Sequence, residues 1–413
     1  MNARPDAHEL VLRLRRYGIS EMARRIVRRL YNRLDAGSLE FPLLPEDVAD
    51  STRLTLPHGA ARERDTSRPL TVGWVCTPPA AGSGGHTTLF RMVAGMEALG
   101  HRCVLFLYDR HGGDLQRHAR VLHENWPDLH AEIRDATDGI TSVDAAVASS
   151  WETAHVLVSR STAPIPLLYF IQDFEPFFYP RGSLQALAED SYRFGFVNIA
   201  LGDMVAQELS KLDLDCVVAP FGCDTATYNV TRTEARSGVV FYAKRAVDRR
   251  AYILGKWALE EFHARHPEQP IHLCGDPVDD WPIPTIQHHR LSPSELNDLY
   301  NQTVAGIAMS FTNISLVAEE MLAAGTIPIV NDSPYSRADL PNEHVEWARP
   351  TAGGIAEALC RVVEDPDVEK RSIDASQSVR DGWGPAQAIV AATIVGAVAS
   401  DQARGASSAA GRR

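Results

Sequence analysis

The stretch Met309-Ser-Phe-Thr-Asn-Ile-Ser-Leu-Val-Ala-Glu-Glu-Met-Leu-Ala-Ala-Gly-Thr-Ile-Pro-Ile-Val-Asn331 decides the fold of this chain. The apolar run 304–309 is typical of a β-strand and the polar residues 310–315 of a turn. Residues 316–324 have helical composition and end at the stop signal Gly325. Strand, turn, helix and a second apolar run predict a βαβ unit of an α/β protein. The backbone N–H groups at such a helix start can bind a diphosphate.

Two acids, Glu319 and Glu320, lie one or two turns into this helix. A carboxylate there can accept hydrogen bonds from sugar hydroxyls, whereas it would repel phosphates. An anion site beside a sugar site predicts that the protein binds a nucleotide sugar. The alternative is a buried crossover in which the acid is a solvated helix residue.

The run Glu320-Met-Leu-Ala-Ala-Gly-Thr-Ile-Pro-Ile-Val330 resembles the second half of the Glu-x7-Glu signature of retaining GT-B glycosyltransferases, especially glycosyltransferase family 4. Glu320 matches the second Glu, and Thr312 stands where the first would fall, so the family's usual contact to the donor sugar is missing or replaced. The resemblance implies that Glu320 and a set of backbone amides hold the donor. These amides are those of Asn313, Ile314, Ser315 and Leu316.

Composition agrees with a large two-domain enzyme. The chain has 413 residues, more than one hydrophobic core normally supports, and 45% of them are hydrophobic and 23% charged. The net charge of −12 argues against nonspecific binding to nucleic acid. We expect a cytoplasmic protein, because neither an apolar run of 18 residues nor a signal-peptide core is present. The six scattered cysteines form no CxxC pair, which indicates small buried hydrophobic residues.

The first 35 residues oppose the overall charge, with nine arginines against four acids. Apolar residues are spaced among them as in an amphipathic helix over residues 8–33. Such a helix suits an anionic membrane surface, here the inner face of the plasma membrane, and the alternative is a helix packed on the protein body. Residues 36–69 are predicted to be a linker and residues 401–413 a disordered tail.

From residue 70 onward, strand-like and helix-like segments alternate, which predicts parallel sheets. Together with the resemblance, this pattern predicts the fold class as α/β with GT-B architecture, two Rossmann-like domains facing a cleft and an N-terminal helical extension. The predicted acceptor domain spans residues 70–224 and the nucleotide-sugar domain residues 238–382. A helix over residues 383–400 is predicted to cross back to the first domain.

A glycine-rich loop follows the first predicted strand, 70–76. Gly82, Gly84 and Gly85 let a substrate approach the backbone where a Cβ would collide. The loop resembles the first-strand loop of GT-B enzymes, which faces the cleft. The alternative, the dinucleotide site of a dehydrogenase, has a GxGxxG spacing that this loop lacks.

The segment Tyr169-Phe-Ile-Gln-Asp-Phe-Glu-Pro-Phe-Phe-Tyr-Pro180 stands at the end of another predicted strand, where open α/β sheets bind ligands. Family 4 enzymes often carry His-Asp here, and Gln172-Asp173 is the match. The resemblance implies that Gln172 bonds the donor sugar and that Asp173 or Glu175 positions or deprotonates the acceptor hydroxyl. The alternative is that the aromatic residues wedge the loop into the core and the acids cap the next helix.

The sequence Gln-Asp-Phe-Glu-Pro over residues 172–176, with Ser149-Ser-Trp-Glu-Thr-Ala154 upstream, resembles the corresponding segments of bacterial rhamnosyltransferases that build S-layer and cell-surface glycans. This resemblance implies dTDP-rhamnose as the donor and a glycan or a lipid-linked oligosaccharide as the acceptor. It also implies that no metal or other cofactor is needed, because the GT-B fold uses basic side chains and a helix dipole in place of a cation.

A basic cluster, Lys244-Arg-Ala-Val-Asp-Arg-Arg250, follows the first predicted strand of the second domain. Cations there can neutralise a diphosphate and stabilise the departing nucleoside diphosphate. By the resemblance, Lys244 stands where the family usually has Arg, and Arg249 or Arg250 stands near the position of its Lys. A solvated helix start is the alternative, which the helix dipole disfavours.

The resulting expectation is a glycosyltransferase that binds its donor mainly in the C-terminal half, with His289, Arg290 and Leu291 as candidate contacts to the base. Two other classes stay open. A nucleotide-sugar epimerase of related fold would need no polymeric acceptor. A non-catalytic glycan-binding protein would explain why the first motif Glu is absent.

Overall fold

The computed structural model describes residues 23–24, 26–31, 33–34, 40–54, 56, 68–232, 234–278, 281–288, 290–314, 316–379 and 382–410, the last ten as backbone only. The chain divides into two compact units, residues 1–48 and 49–413. In the smaller unit, residues 23–24 and 26–31 are helical and Pro45–Asp47 form a 3-10 turn. Most of the predicted basic helix of residues 8–33 lies outside the described residues.

The larger unit contains a first sheet of seven parallel strands in the order β3-β2-β1-β4-β5-β6-β7. The strands are β1 (Thr71–Cys76), β2 (Arg102–Leu107), β3 (Glu132–Asp135), β4 (Ala145–Ala148), β5 (Leu167–Ile171), β6 (Val197–Leu201) and β7 (Val217–Ala219). The helices between them are α1 (Gly84–Ala98), α2 (Leu115–Asn125), α3 (Trp151–Arg160), α4 (Ser183–Ser191) and α5 (Asp203–Ser210). The central strands β1, β4 and β5 are almost entirely apolar and buried, as expected for a parallel sheet covered on both faces.

The second sheet has six parallel strands in the order β10-β9-β8-β11-β12-β13. The strands are β8 (Val239–Ala243), β9 (Ile271–Gly275), β10 (Ile286–Gln287), β11 (Ala305–Ile307), β12 (Ile327–Asn331) and β13 (Glu346–Ala348). The helices are α6 (Tyr252–Arg265), α7 (Pro293–Gln302), α8 (Leu316–Ala323), α9 (Pro334–Asp339), α10 (Ala352–Val363) and α11 (Val368–Gln377). The strand, turn, helix and strand predicted from the opening stretch are therefore β11, its following turn, α8 and β12.

Both sheets reverse their strand order beside their first strand, between β1 and β4 and between β8 and β11. In open parallel sheets, ligands bind outside the C-terminal ends of the strands at this reversal. The topology therefore creates one such place in each sheet.

The chain passes between the two sheets twice, and the two passages touch. The backbone N of Gly382 donates to the carbonyl oxygen of Cys223 at 2.8 Å. A Cβ on Gly222 would collide with the carbonyl oxygen of Gly382, so the contact requires glycine at position 222.

After the second passage, α12 (Gly384–Ala410) packs on α1 and β7 of the first sheet. Gln387 Nε2 donates to the carbonyl oxygen of Arg91 at 2.8 Å. The backbone of α12 continues into the tail that the sequence predicts to be disordered. Its alanine-rich composition favours this helical continuation.

The interior of the larger unit is apolar, with large buried side chains such as Trp74, Phe170 and Phe241. The six cysteines are free thiols, five of them buried and Cys216 half-buried. None of the helices in the described part of the chain is long and apolar enough to cross a membrane.

Candidate functional site

A cleft of about 900 Å³ lies between the C-terminal ends of the two sheets. Its lining contains the residues that the sequence predicts as catalytic or donor-binding, which come from four separate segments: Gly84, Gly85, Gln172, Asp173, Glu175, Lys244, Arg249, Arg250, Asn313, Ile314, Leu316 and Glu320. Ser315, the remaining predicted residue, lies outside the described residues. The structure therefore brings these side chains and backbone groups together, while their roles stay predictions.

Asp173 joins the two sides of the cleft and is only 7% exposed. Its Oδ2 accepts a hydrogen bond from Thr312 Oγ1 at 2.7 Å, and its Oδ1 accepts one from the backbone N of Asn313 at 3.2 Å. Asn313 Nδ2 also donates to the carbonyl oxygen of Gln172 at 2.7 Å. Burial raises the pKa of Asp173, and the hydrogen bond from Thr312 and the two neighbouring arginines oppose that rise. A carboxyl group from the first sheet thus occupies the turn that leads into α8.

Arg249 and Arg250 lie in a short 3-10 turn after β8. Arg250 Nη1 donates to Ser310 Oγ at 2.7 Å, and Arg249 Cζ lies 4.2 Å from the ring centroid of Phe178. Burial and, to a smaller extent, the adjacent Arg249 together lower the pKa of Arg250 to about 10, and Asp173 opposes the change. Within the described residues, the buried Nε of Arg249 has no hydrogen-bond partner. Two guanidinium groups side by side, one with an unused donor, favour the binding of an anion.

Lys244 adds a third cation at the C-terminal end of β8. Its Nζ lies 4.9 Å from the ring centroid of Tyr242, and the residue lines the cleft. The next residue, Arg245, is exposed and is not part of the cleft lining. Positive charge is therefore concentrated on the β8 side of the cleft.

Glu320 lies within electrostatic range of Arg91 and Asp224, two cleft residues that the sequence reasoning did not identify. Burial raises the pKa of Glu320 to about 7, Arg91 opposes the rise, and Asp224 and Glu319 add to it. Arg91 belongs to α1, and its Cζ lies 4.9 Å from the ring centroid of Trp383. Glu320 therefore changes its charge near neutral pH, and a group from the first sheet modulates that change.

The start of α1 leaves open space in front of its backbone. Ser83 caps the helix, with its Oγ accepting from the backbone N of His86 at 3.4 Å. A Cβ on Gly84 would meet nothing within 4 Å, and one on Gly85 would lie 3.9 Å from Gln172 Oε1. The space in front of Gly84 and Gly85 is therefore open, whereas that at Gly82 is filled by the side chain of Arg290, and binding of a substrate there stays a prediction.

Arg290 connects the second sheet to the glycine-rich loop, because its Nη2 donates to the carbonyl oxygen of Ala81. Arg290 and Leu291 line the cleft, while the third predicted base contact, His289, lies outside the described residues. The loop after β1 is thus held from the opposite side of the cleft.

Glu175 holds its loop against the start of α3. Its Oε2 accepts hydrogen bonds from the backbone N of Trp151 and from Tyr169 Oη, the latter at 3.1 Å. Burial raises the pKa of Glu175, and the nearby Glu152 adds to the rise. These contacts give Glu175 a structural function, and its part in catalysis stays a prediction.

Possible metal ligands occur together away from the cleft. Among the described residues, one group of three has potential ligand atoms within 4.8 Å of one another, namely His266, Cys360 and Glu364. His266 Nε2 already contacts Glu364 Oε1 at 3.0 Å, and none of the three lines the cleft. Metal independence of the reaction stays a prediction.

No family model matches the chain. The O-antigen biosynthesis protein RfbC of Myxococcus xanthus is 26% identical over 391 residues, which cover 88% of this chain and 29% of that protein. The chain therefore spans less than a third of the length of this relative.

Solved structures of similar fold include HepE of Anabaena in complex with UDP and glucose, with a TM-score of 0.58, 13% identity and coverage of 80% of this chain and 98% of the other. A glycosyltransferase from Rickettsia africae has a TM-score of 0.52, 12% identity and coverage of 80% and 96%. A protein described as a putative UDP-N-acetylglucosamine 2-epimerase from Listeria monocytogenes has a TM-score of 0.52, 9% identity and coverage of 78% and 94%. With its two parallel-sheet Rossmann-like halves, the chain has the GT-B fold, which confirms the predicted fold class.

Proposed function

We propose that this protein is a glycosyltransferase that takes a sugar from a nucleotide-sugar donor bound in the cleft. The observation that carries the proposal is the placement of Lys244, Arg249 and Arg250 on one side of a cleft that also contains Glu320 and the start of α8. The cations suit a diphosphate, and the carboxylate suits sugar hydroxyls. The O-antigen biosynthesis relative and the UDP complex of HepE support the same class of reaction.

The proposed reaction breaks the bond between the anomeric carbon and the diphosphate oxygen, and forms a bond from that carbon to an acceptor hydroxyl oxygen. Negative charge develops on the departing nucleoside diphosphate, where Lys244 and the two arginines stabilise it. The proton of the acceptor hydroxyl passes to the diphosphate or to Asp173. Gln172 forms a hydrogen bond to the donor sugar. Retention of configuration follows from the family resemblance, and the reaction needs no metal.

The proposed donor is dTDP-rhamnose, and the proposed acceptor is a hydroxyl of a cell-surface glycan or a lipid-linked oligosaccharide. Support for the sugar comes from the Gln172-Asp-Phe-Glu-Pro176 wording, and support for the acceptor comes from the O-antigen relative. We further propose that the basic residues 8–33 hold the protein at an anionic membrane surface. Co-sedimentation with phosphatidylglycerol vesicles, weakened by salt, would support this location, and equal binding to neutral vesicles would contradict it.

Thermal unfolding with a panel of dTDP, UDP and GDP tests donor binding. A ligand at a hundred times its Kd adds about 2.7 kcal/mol to the free energy of unfolding. We expect dTDP alone to raise the unfolding temperature of the wild type. This shift should be lost in Arg249→Gln and retained in Arg245→Gln, which removes a cation of the same segment that lies outside the cleft. A shift with UDP or GDP instead would keep the glycosyltransferase and discard rhamnose.

The two other classes give different results in the same assays. A nucleotide-sugar epimerase, whose fold is also similar, would convert the donor sugar without any acceptor. A non-catalytic glycan-binding protein would bind glycan and show no nucleotide shift. The three cations on the β8 side of the cleft favour the glycosyltransferase over the glycan-binding protein.

A further inference from the structure

The carboxyl group of Asp173 lies beside the groups that would bind the diphosphate of a donor. The backbone N of Asn313 donates to Asp173 Oδ1 at 3.2 Å, in the turn that leads into α8. Burial raises the pKa of this carboxyl group, and Arg250 and Arg249 are near enough to oppose that rise. The same amide and the same guanidinium groups are the ones that the proposed diphosphate would use.

Thr312 completes the hold on Asp173. Its Oγ1 donates to Asp173 Oδ2 at 2.7 Å, and both side chains are buried. A glutamate at position 312 could not donate this hydrogen bond when ionised and would repel the carboxylate. A neutral donor at position 312 is therefore matched to an acid at position 173.

The groups around Asp173 keep unused hydrogen-bonding capacity. Within the described residues, Asn313 Oδ1 and Arg249 Nε are buried without a partner, and Asn313 is 9% exposed. Buried polar atoms are nearly always paired, so the unpaired donor Arg249 Nε indicates a place for an anion larger than one carboxylate. The unpaired acceptor Asn313 Oδ1 can be satisfied only by a donor such as a sugar hydroxyl. The carboxylate of Asp173 therefore leaves at least one hydrogen-bond donor next to it, Arg249 Nε, without a partner among the described residues.

We propose that Asp173 is an internal anion that occupies the diphosphate site when no donor is bound and is displaced when a diphosphate binds. The carboxylate of Asp173 and a diphosphate cannot both accept a hydrogen bond from the Asn313 amide. The repulsion between these two anions is strong because Asp173 is buried. Displacement frees the carboxylate to meet the acceptor hydroxyl, so the donor binds before the acceptor. This inference rests on the proposed function, because it assigns the diphosphate of the donor to this site.

Titration calorimetry with inorganic pyrophosphate tests the proposal without assuming a base or a sugar. Asp173→Asn keeps the shape of the side chain and removes its charge, so we expect pyrophosphate to bind about tenfold more tightly, since a hydrogen bond to a charged group contributes on that scale. Thr312→Val removes the donor that holds Asp173, and we expect a smaller gain. Thr312→Ser keeps the donor, and the exposed Asp128→Asn makes the same charge change outside the cleft, so both should match the wild type.

The outcomes separate this inference from the proposed function. Equal or weaker pyrophosphate binding by Asp173→Asn, with wild-type binding of dTDP, UDP or GDP intact, would overturn the inference alone. Absence of pyrophosphate and nucleotide binding in both wild type and Asp173→Asn would overturn both. Binding by Asp173→Asn where the wild type binds none would support the internal anion most strongly. Unfolding midpoints of the variants verify that each is folded.

Discussion

Glu320 carries its carboxyl group in surroundings that oppose its charge. Burial raises the pKa to about 7 from an ordinary value of 4.5, Asp224 adds to the rise, and Arg91 offsets part of it. Between these two pKa values the folded protein keeps a proton that the unfolded chain has released. The contribution of Glu320 to the free energy of unfolding is therefore fully present at low pH, and it is lost as the pH rises through 7.

Glu320→Gln removes this titration. From about pH 5 to about pH 8, we expect the free energy of unfolding of the wild type to fall relative to the variant by about 1 to 3 kcal/mol, because one pKa unit corresponds to about 1.4 kcal/mol. Urea denaturation at both pH values measures the difference, with the exposed Glu357→Gln as the control. A difference that is the same at both pH values would contradict the assigned surroundings.

Residue types in the cleft could be predicted from the sequence, but their partners could not. Glycines and cations after strand ends indicated Gly84 and Lys244, because such positions converge in parallel sheets, and the helix that follows β11 indicated Glu320. The hydrogen bond between Asp173 and Thr312 joins residues 139 positions apart, and no local pattern encodes such a pair. Arg91 and Asp224 were missed for a related reason, since a charged residue on a helix or after a strand usually faces solvent.

Among the single elements, the start of α1 has a glycine that the stability of the helix does not require and that a ligand could use. Gly84 begins the helix, and a Cβ there would meet nothing within 4 Å of the protein itself. Alanine is also the better helix former, by roughly 0.5 to 1 kcal/mol in a helix interior and less at its end. Open space at this position is therefore of use to a ligand and not to the fold.

Gly84→Ala should leave the fold intact and weaken ligand binding. We expect a free energy of unfolding equal to or slightly above that of the wild type, and a lower affinity for the nucleotide sugar because the new methyl group enters the cleft. Gly396→Ala, in α12, also has no neighbour within 4 Å and does not line the cleft, so it serves as the control. Unchanged affinity in Gly84→Ala would show that the ligand does not approach the start of α1.

Element prediction succeeded where burial and pattern agree. The central strands are apolar runs of the sequence, and β6 (Val197–Leu201) and β8 (Val239–Ala243) are also mostly apolar. The edge strands β3 and β13 were not predicted, because Glu132–Asp135 and Glu346–Ala348 are short, mixed in polarity and only partly buried. An edge strand has one pairing neighbour and one protected side, so its sequence carries a weaker signal.

At the scale of the whole larger unit, the two chain passages between the sheets form one joint. Gly222 and Cys223 of the first passage contact Gly382 of the second, and α12 then fastens the chain to α1 and β7. The alternation of strands and helices predicted two sheets. It did not predict that the passages touch, because the contact depends on the absence of a side chain at one position.

Gly222→Ala should loosen this joint. The new Cβ would collide with the backbone of Gly382, which cannot rotate away as a side chain can, so we expect a loss of about 1 to 3 kcal/mol in the free energy of unfolding. Gly384→Ala, at the first residue of α12 and with no neighbour within 4 Å, should be neutral or slightly stabilising. Equal stability of the two variants, measured by urea denaturation, would contradict the joint.

Sugar transfer in this cleft requires that a nucleoside diphosphate leaves the donor. Its release from dTDP-rhamnose and from UDP- and GDP-sugars can be measured with a cell-envelope glycan fraction as acceptor. We expect release from at least one donor by the wild type, a loss of roughly a hundredfold in Lys244→Gln, and retention in Arg245→Gln, whose side chain lies outside the cleft. No release from any donor, or release undiminished in Lys244→Gln, would show that the cleft does not transfer a sugar in the proposed way.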